Sequence, residues 1–589
     1  MELTTRQKVY AGSALAGLIA IIVSLQQCVT ESPEPGPSSS STSLPTPSPS
    51  SSPSSIPTSG PSTVPSATPL PSPAPTPFPV PSPTLSPLPQ PTALPSSGVT
   101  LKILDSIEKI DYAQETQWKK QASRSLPQGA SSGFALRVET GSSCAIVGTP
   151  SLSAFIPVSV ATPSYVGGKT GTFYDAMFAL NPGNCAAAKY LWWEIPAGAT
   201  RTLTLADVSV TLNVKSWALP AVEGFPLYVG LHQSYLQWGY YGKAWGGREG
   251  DIAKIWGTAM RAHRLIPTNG TVTNPPVAPD MIPGPTPTST PVPNPIAGQL
   301  DLNSGSQYGT SWNQVVGAYT PAPHLQYMPN GVNLTALGKT TGIRPYFYVA
   351  DEPSSADYPT LNSKAQAIKA AAPFAKTMVT VSYSPQLSAF DIFVPVMNYF
   401  TDPAPYAGKE VWLYSSCMSH SCTMCNGDVW GRACFNPGTD NGYPDLVLDR
   451  PASHLMGFYA TALKYSPTVK GLLYYAIDEL EQFTRVSSTG VFSQRAIDTP
   501  WAFGGNMDGQ LAYTVRPGEY GSTDIGIAVS HRMKLLRHAS QFADMLLALK
   551  AKDPTAYTSV IQSLARTTKD WEKTTAPYEA AWDLVLSKL

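Results

Sequence analysis

Between Glu31 and Ser97 the chain is almost entirely proline, serine and threonine. Proline removes the backbone donor that a helix or a sheet ladder needs, and the stretch carries too little apolar surface to offset the entropy of ordering it. Residues 31–98 are therefore expected to form an extended, polyproline-like stalk that joins no core. Of the 589 residues, folding is confined to a C-terminal body of about 490, room for two or three packed units.

The segment before the stalk is short. Arg6 and Lys8 lead into the apolar run Tyr10 to Leu25, which is long for a signal-peptide core and short of the ~20 residues that a spanning helix prefers. Residues 1–30 read as a signal peptide or a membrane anchor, and Leu25-Gln26-Gln27-Cys28 adds a loose likeness to a lipoprotein box. An uncleaved anchor, a cleaved signal and a lipid-modified Cys28 all fit. Each gives an exported protein, secreted or held at the cell surface through its N-terminus. Formal net charge is zero and no basic stripe is present, which argues against a nucleic-acid partner.

An exported context favours disulfides for Cys144, Cys185, Cys417, Cys422, Cys425 and Cys434. Cys422-x-x-Cys425 supplies one step of a zinc site, but the remaining intervals are not those of a ribbon or a finger. Neither a metal nor another cofactor is expected. Asn269-Gly270-Thr271 and Asn333-Leu334-Thr335 match the N-glycosylation sequon.

The body changes character at Pro220. From residue 99 to 220 short strands and turns dominate, most clearly where Val208, Val210, Leu212 and Val214 alternate with Ser209, Thr211 and Asn213, the pattern of a half-buried strand. This region reads as an antiparallel β-sandwich. From 221 to 525 apolar strands alternate with helical stretches, among them strands at Pro226–Leu231, Tyr346–Ala350, Thr377–Ser382, Phe390–Val396, Val411–Ser415 and Gly471–Ala476. Helices are expected at Asp251–Leu265, Leu361–Ala372 and Ala452–Tyr465. About eight strand-like segments suggest a (β/α)8 barrel of the TIM type. The Pro-rich stretch 275–295 interrupts the series as a surface insertion. Residues 526–589 carry helical periodicity and are expected to cap the barrel. The fold class is thus multidomain: sandwich, barrel and C-terminal helices.

Tyr348-Val349-Ala350-Asp351-Glu352-Pro353 places two adjacent carboxylates where an apolar strand runs out. In a barrel that end is the C-terminal rim, where active sites sit. Two neighbouring acids split their titration, so one stays ionised while the other holds a proton. Glycoside hydrolysis needs such a pairing.

With these residues in place the chain resembles the catalytic domain of glycoside hydrolase family 123 and its relatives over roughly residues 200 to 550. The resemblance rests on Met260-Arg261-Ala262-His263-Arg264-Leu265, on Tyr348 to Pro353, and on Val411-Trp412-Leu413-Tyr414-Ser415-Ser416-Cys417. Further matches are Asp449-Arg450-Pro451, Gly471-Leu472-Leu473-Tyr474-Tyr475 and Asp508-Gly509. The chain departs from the family's pattern at Tyr475, where relatives carry tryptophan, and at His454 or Met456, where they carry arginine. What the resemblance implies is retaining hydrolysis of a terminal β-linked N-acetylgalactosamine, with the sugar's 2-acetamido oxygen attacking the anomeric carbon. Carried over by position, Asp351 orients the acetamido group, and Glu352 protonates the leaving oxygen and then activates water.

Aromatic residues at strand ends are candidates for a sugar platform, since the apolar face of a hexose stacks on a ring. These are Trp238, Tyr348, Tyr399, Trp412, Tyr414 and Tyr475, with Asn398 as a polar partner. His263 and His454 have no visible catalytic partner and read as structural. Two other readings stay open. One is a retaining glycosidase using Asp478 or Glu479 as nucleophile, held ~5 Å from Glu352; the other is a non-catalytic surface protein that binds glycans or the cell wall. On every reading the partner is an extracellular glycan or glycoconjugate.

Overall fold

The computed structural model describes residues 98–149, 153–162, 171–195, 198–220, 223–230, 255–268 except 257 and 261, 325–328, 344–420 except 372, 374 and 375, 442–478, 497, and 501–589 except 503 and 504. The head, the stalk, the insertion 275–295 and both sequons lie outside these residues. No helix among the described residues is long and apolar enough to cross a membrane.

The first strands are β1 (Thr100–Leu104), β2 (Trp118–Lys119), β3 (Gln121–Gln128), β4 (Ser132–Thr140), β5 (Ser153–Thr162), β6 (Gly171–Ala179), β7 (Tyr190–Ile195), β8 (Arg201–Leu205) and β9 (Val208–Ala218). Next come β10 (Leu227–Gly230), β11 (Leu265–Thr268), β12 (Leu325–Met328), β13 (Arg344–Asp351), β14 (Lys376–Thr380), β15 (Ile392–Phe393), β16 (Glu410–Ser415) and β17 (Val469–Tyr474). The series ends with β18 (Trp501–Ala502), β19 (Gly505–Asn506), β20 (Ala512–Val515) and β21 (Gly526–Ser530). The helices used below are α1 (Tyr358–Ala371), α2 (Cys417–His420), α3 (Ala452–Leu463), α4 (His531–Lys552), α5 (Pro554–Leu564) and α6 (Ala576–Lys588).

In β9, Val208, Val210 and Leu212 are buried and the polar residues between them are not, as the alternation requires. These three share a core with Leu101 and Ile103 of β1 and Leu126 of β3. Two sheets face that core. One has eight strands in the order β2-β1-β4-β7-β5-β6-β21-β20, every pair antiparallel. The other, β3-β9-β8, pairs β3 with β9 in parallel, unlike the wholly antiparallel sandwich expected. Parallel pairing needs a long crossover, and the chain from β3 to β9 runs through five other strands. Cys144 and Cys185 form a disulfide; the side chain of Cys417, and all of Cys422, Cys425 and Cys434, fall outside the description.

The second large sheet is wholly parallel, in the order β11-β10-β17-β16-β15-β14-β13-β12. Its residues alternate between two cores. Tyr228, Ile266, Tyr346, Met378, Ile392, Trp412, Tyr414 and Leu473 form one cluster, while Leu227, Val379, Phe393, Val411, Leu413 and Leu472 face another. Tyr228 of β10 and Tyr346 of β13 stand five strands apart in the order, about 24 Å in a flat sheet. Their ring centroids are 6.3 Å apart. The sheet therefore curls around its own interior, with the last strand, β17, paired to the first, β10. A Cβ on Gly230 would lie 1.8 Å from the Tyr475 carbonyl oxygen, so only glycine permits that approach.

The complete (β/α)8 barrel of the sequence reading is not present among the described residues. The outer strands β11 and β12 do not pair, and the chain between them, 269–324, lies outside the description. Helices are also few. α1 joins β13 to β14 and α3 joins β16 to β17, but the links on either side of β15 hold only 3₁₀ turns containing Pro385 and Pro405, residues that interrupt α-helical hydrogen bonding.

After β17 the chain returns to the first sheet through β20 and β21 before Ser530 caps α4, its hydroxyl accepting the Met533 N–H at 2.9 Å. Arg532, in the first turn of that helix, is fully buried. Its guanidinium donates to Asp175 of β6 at 2.8 Å, to the Leu446 carbonyl at 2.5 Å, to the Met507 carbonyl at 3.0 Å and to the Gln510 carbonyl. Tyr513 donates to the same Asp175. One buried pair thus ties the first sheet, the tail helix and two loops together.

Candidate active site

Strands of a parallel sheet all end at the same edge, so β13, β14 and β16 bring Asp351, Thr380 and Ser415 to one rim. The pairing of β13 with β14 shifts register between Tyr348 and Ala350 and then sets Asp351 opposite Thr380. A bulge of this kind re-aims side chains. It lets Tyr348 and Asp351, three residues apart, turn to a common side. The Tyr348 hydroxyl donates to Asp351 Oδ1, and the Thr380 hydroxyl donates to the same oxygen at 2.6 Å.

Glu352 follows the strand with φ at +39°, in the left-handed region that costs a non-glycine residue of order 1–3 kcal/mol. Two contacts hold it there. Its N–H donates to Thr380 Oγ1 at 2.8 Å, and its carboxylate accepts from the Tyr414 hydroxyl. Both acids are exposed, whereas Tyr414 is buried and Tyr348 half-buried. A ligand can therefore reach the carboxylates but not displace their supports from behind.

Glu352 faces the opening, yet protein atoms crowd its carboxylate. That desolvation, and then the neighbouring Asp351 charge, raise its pKa above the ordinary glutamate value, while the Tyr414 hydrogen bond opposes them. Burial, followed by carboxylate charge, pushes the Tyr348 and Tyr414 hydroxyls well above the usual phenol range. Both keep their protons and act as donors. The two neighbours are thus held differently: Asp351 accepts two hydroxyl donors on one oxygen, while Glu352 accepts from Tyr414 and has its pKa shifted upward.

The platform candidates fare differently. Trp412 is completely buried: its ring stacks on Tyr228 at 4.1 Å, meets Tyr346 edge-on at 5.3 Å, and its Nε1 donates to Glu410 at 2.9 Å. It is core and cannot stack on a sugar. Tyr414 is 5% exposed and its hydroxyl serves Glu352, so it also offers no platform. Both lie on the interior face, as their spacing indicates, but depth decides their role, and Trp412 sits two residues, about 6.6 Å, further down the strand. Tyr348 supports Asp351 rather than presenting a ring. Tyr399 is 57% exposed. Asn398 is half-buried and its Oδ1 accepts from Ser419 at 3.0 Å. Tyr475 is half-buried, with its ring 5.3 Å from that of Tyr474. Trp238 and Glu479 lie outside the described residues. Asp478 is fully buried and bridges through its backbone to Gln510, out of reach of a glycoside.

His263 and His454 are buried. His263 Nδ1 lies 2.6 Å from the Ala259 carbonyl, and His454 sits 3.4 Å from Asp445. A further buried group escaped the sequence reading. His420 Nε2 lies 3.0 Å from Asp508 Oδ2, and the Tyr474 hydroxyl donates to Asp508 Oδ1 at 3.1 Å. Burial alone would lower the His420 pKa, but the Asp508 charge and hydrogen bond outweigh it and the net shift is upward. Thr380 was missed too. Its one sequence signal is a hydroxyl closing the strand that follows the acid-bearing one.

No protein-family model matches the chain, and no curated protein matches it. Among solved structures it is similar to a family 123 glycoside hydrolase from Clostridium perfringens, whose structural analysis concerns glycolipid glycan hydrolysis. The TM-score is 0.49 at 12% sequence identity, over 83% of this chain and 97% of that one.

Proposed function

We propose that the chain is an exported glycoside hydrolase that removes a terminal β-linked 2-acetamido sugar, of the N-acetylgalactosamine type, with retention and with the sugar's own acetamido group as nucleophile. The observation that carries this reading is the unequal treatment of two adjacent exposed acids. Asp351 has Oδ1 taken by two hydroxyl donors, which leaves Oδ2 to accept the acetamido N–H and aim its carbonyl oxygen at C1. As that oxygen bonds to C1, the C1–O bond to the aglycone breaks and Glu352 gives its proton to the leaving oxygen. The resulting oxazolinium is opened by water, whose proton passes to the Glu352 carboxylate. A raised pKa suits a group that must be an acid first. Among described residues the alternative nucleophile, Asp478, is buried away from any ligand.

Tyr399, exposed beside Asn398, is the platform candidate we retain. The apolar run Tyr10 to Leu25 and the Pro/Ser/Thr-rich composition of residues 31–98 support export.

The test is a screen of the full-length protein on aryl β-glycosides of N-acetylgalactosamine, N-acetylglucosamine, galactose and glucose. Cleavage confined to the 2-acetamido sugars is expected; cleavage of the galactoside or glucoside contradicts substrate assistance. A second prediction concerns pH. Glu352 must be protonated for the first step, so the rate falls on the alkaline side as pH rises through its pKa. Tyr414→Phe deletes the hydrogen bond that lowers that pKa, and the alkaline limb of kcat/KM should move to higher pH. A shift in the opposite direction would contradict the assignment of Glu352 as the acid.

A further inference from the structure

We infer that Thr380 is the positioning residue that sets both carboxylates of the site through one hydroxyl; the inference rests on the hydrolase reading above. A threonine hydroxyl has one proton and two acceptor lone pairs. Here the proton goes to Asp351 Oδ1 at 2.6 Å, and a lone pair accepts the Glu352 N–H at 2.8 Å. The Tyr348 hydroxyl lies 3.1 Å away. That tyrosine also has a single proton, and the carboxylate, being charged, is the stronger acceptor for it. Thr380 Oγ1 is therefore the atom shared by the side chain of one acid and the backbone of the other.

The backbone contact matters because of where Glu352 sits. Its φ of +39° is held against local preference, and such conformations persist only where surrounding contacts over-determine them. Tyr414 fixes the far end of the side chain, and Thr380 fixes the near end at the amide. Thr380 itself closes β14 on a buried strand whose Met378 and Val379 pack into the two cores, so the hydroxyl is aimed by a rigid element. Deleting it removes one of the two donors to Asp351 Oδ1 and releases Glu352 toward negative φ. Both moves displace carboxylates that must lie within a fraction of an ångström of their targets.

Thr380→Val keeps the shape and removes the hydroxyl, while Thr380→Ser keeps the hydroxyl. On an aryl 2-acetamido-β-galactoside, Thr380→Val should lose about 10²-fold in kcat, the scale of a 1 Å misplacement, with KM little changed. Thr380→Ser should restore most of that rate. Both variants should melt close to the wild type, which separates positioning from folding. If the wild type turns over and the valine variant matches it, the inference is overturned while the hydrolase reading stands. If the wild type cleaves no glycoside, the hydrolase reading fails, and the geometry is still decided by a crystal structure of Thr380→Val. There, Glu352 remaining at positive φ with its carboxylate in place would overturn the role given to Thr380, and its relaxation to negative φ would uphold it.

Discussion

Glu352→Gln is expected to lower kcat by about 10³-fold, the middle of the range for loss of a general acid–base group, with substrate binding retained. Stability should move the other way. The folded pKa of Glu352 is raised, so the group's contribution to stability is fully present below the unfolded value of about 4.3 and is lost as pH rises through the folded one. Above the unfolded value the upward shift therefore costs stability that a neutral amide does not lose. The variant should therefore melt at or above the wild-type temperature at pH 7, and the two should converge near pH 4. Activity lost together with a lower Tm at pH 7 would assign the loss to unfolding and sink the acid–base role. Unchanged turnover would do so more directly.

Arg532→Met is expected to destabilise the protein by about 3–5 kcal/mol, because it leaves Asp175 charged and buried without its partner. Asp175 is completely buried. Desolvation alone would raise its pKa, but the Arg532 charge and hydrogen bonds overcome that and hold it below the usual aspartate value. A depressed carboxylate stabilises above the unfolded pKa of about 3.9, and that contribution is lost as pH falls through the folded value. The difference in Tm between wild type and Arg532→Met should accordingly shrink toward low pH. Adding Asp175→Leu to Arg532→Met should recover part of the loss, since removing both charges is less costly than stranding one. Equal Tm values for wild type and the single variant would show that the first sheet, α4 and the two loops are held without this pair. The same geometry predicts that the β-sandwich region cannot be cut away as a separate module, because β20 and β21, late in the chain, complete its sheet.

Local patterns carried much of the fold. The alternation at Val208 to Val214 identified β9, and the apolar runs at 346–350, 411–415 and 471–476 identified β13, β16 and β17, because burial leaves a periodic mark on neighbouring residues. The acid pair was legible for a similar reason: Asp351-Glu352-Pro353 ends a strand in its own sequence. Non-local relations were not legible. The pairing of β21 with β6 joins residues more than 300 apart, and nothing in either strand specifies the other. Thr380 and Asp351 meet only through register between strands. Trp412 and Tyr414 share a face, but their distance from the rim depends on how the whole sheet curls. Trp412, in an apolar run that ends at the rim, then looks like a platform while serving as core.

Participation of the substrate is the central claim, and it is tested most directly by varying the acetamido group alone. Aryl 2-deoxy-β-galactosides bearing acetamido, monofluoro-, difluoro- and trifluoroacetamido groups at C2 differ chiefly in the nucleophilicity of the amide oxygen. With the full-length protein, kcat is predicted to fall steeply at each added fluorine, as it must if that oxygen attacks C1. A rate that stays level across the series would mean that the nucleophile belongs to the protein or to water, and would contradict the account.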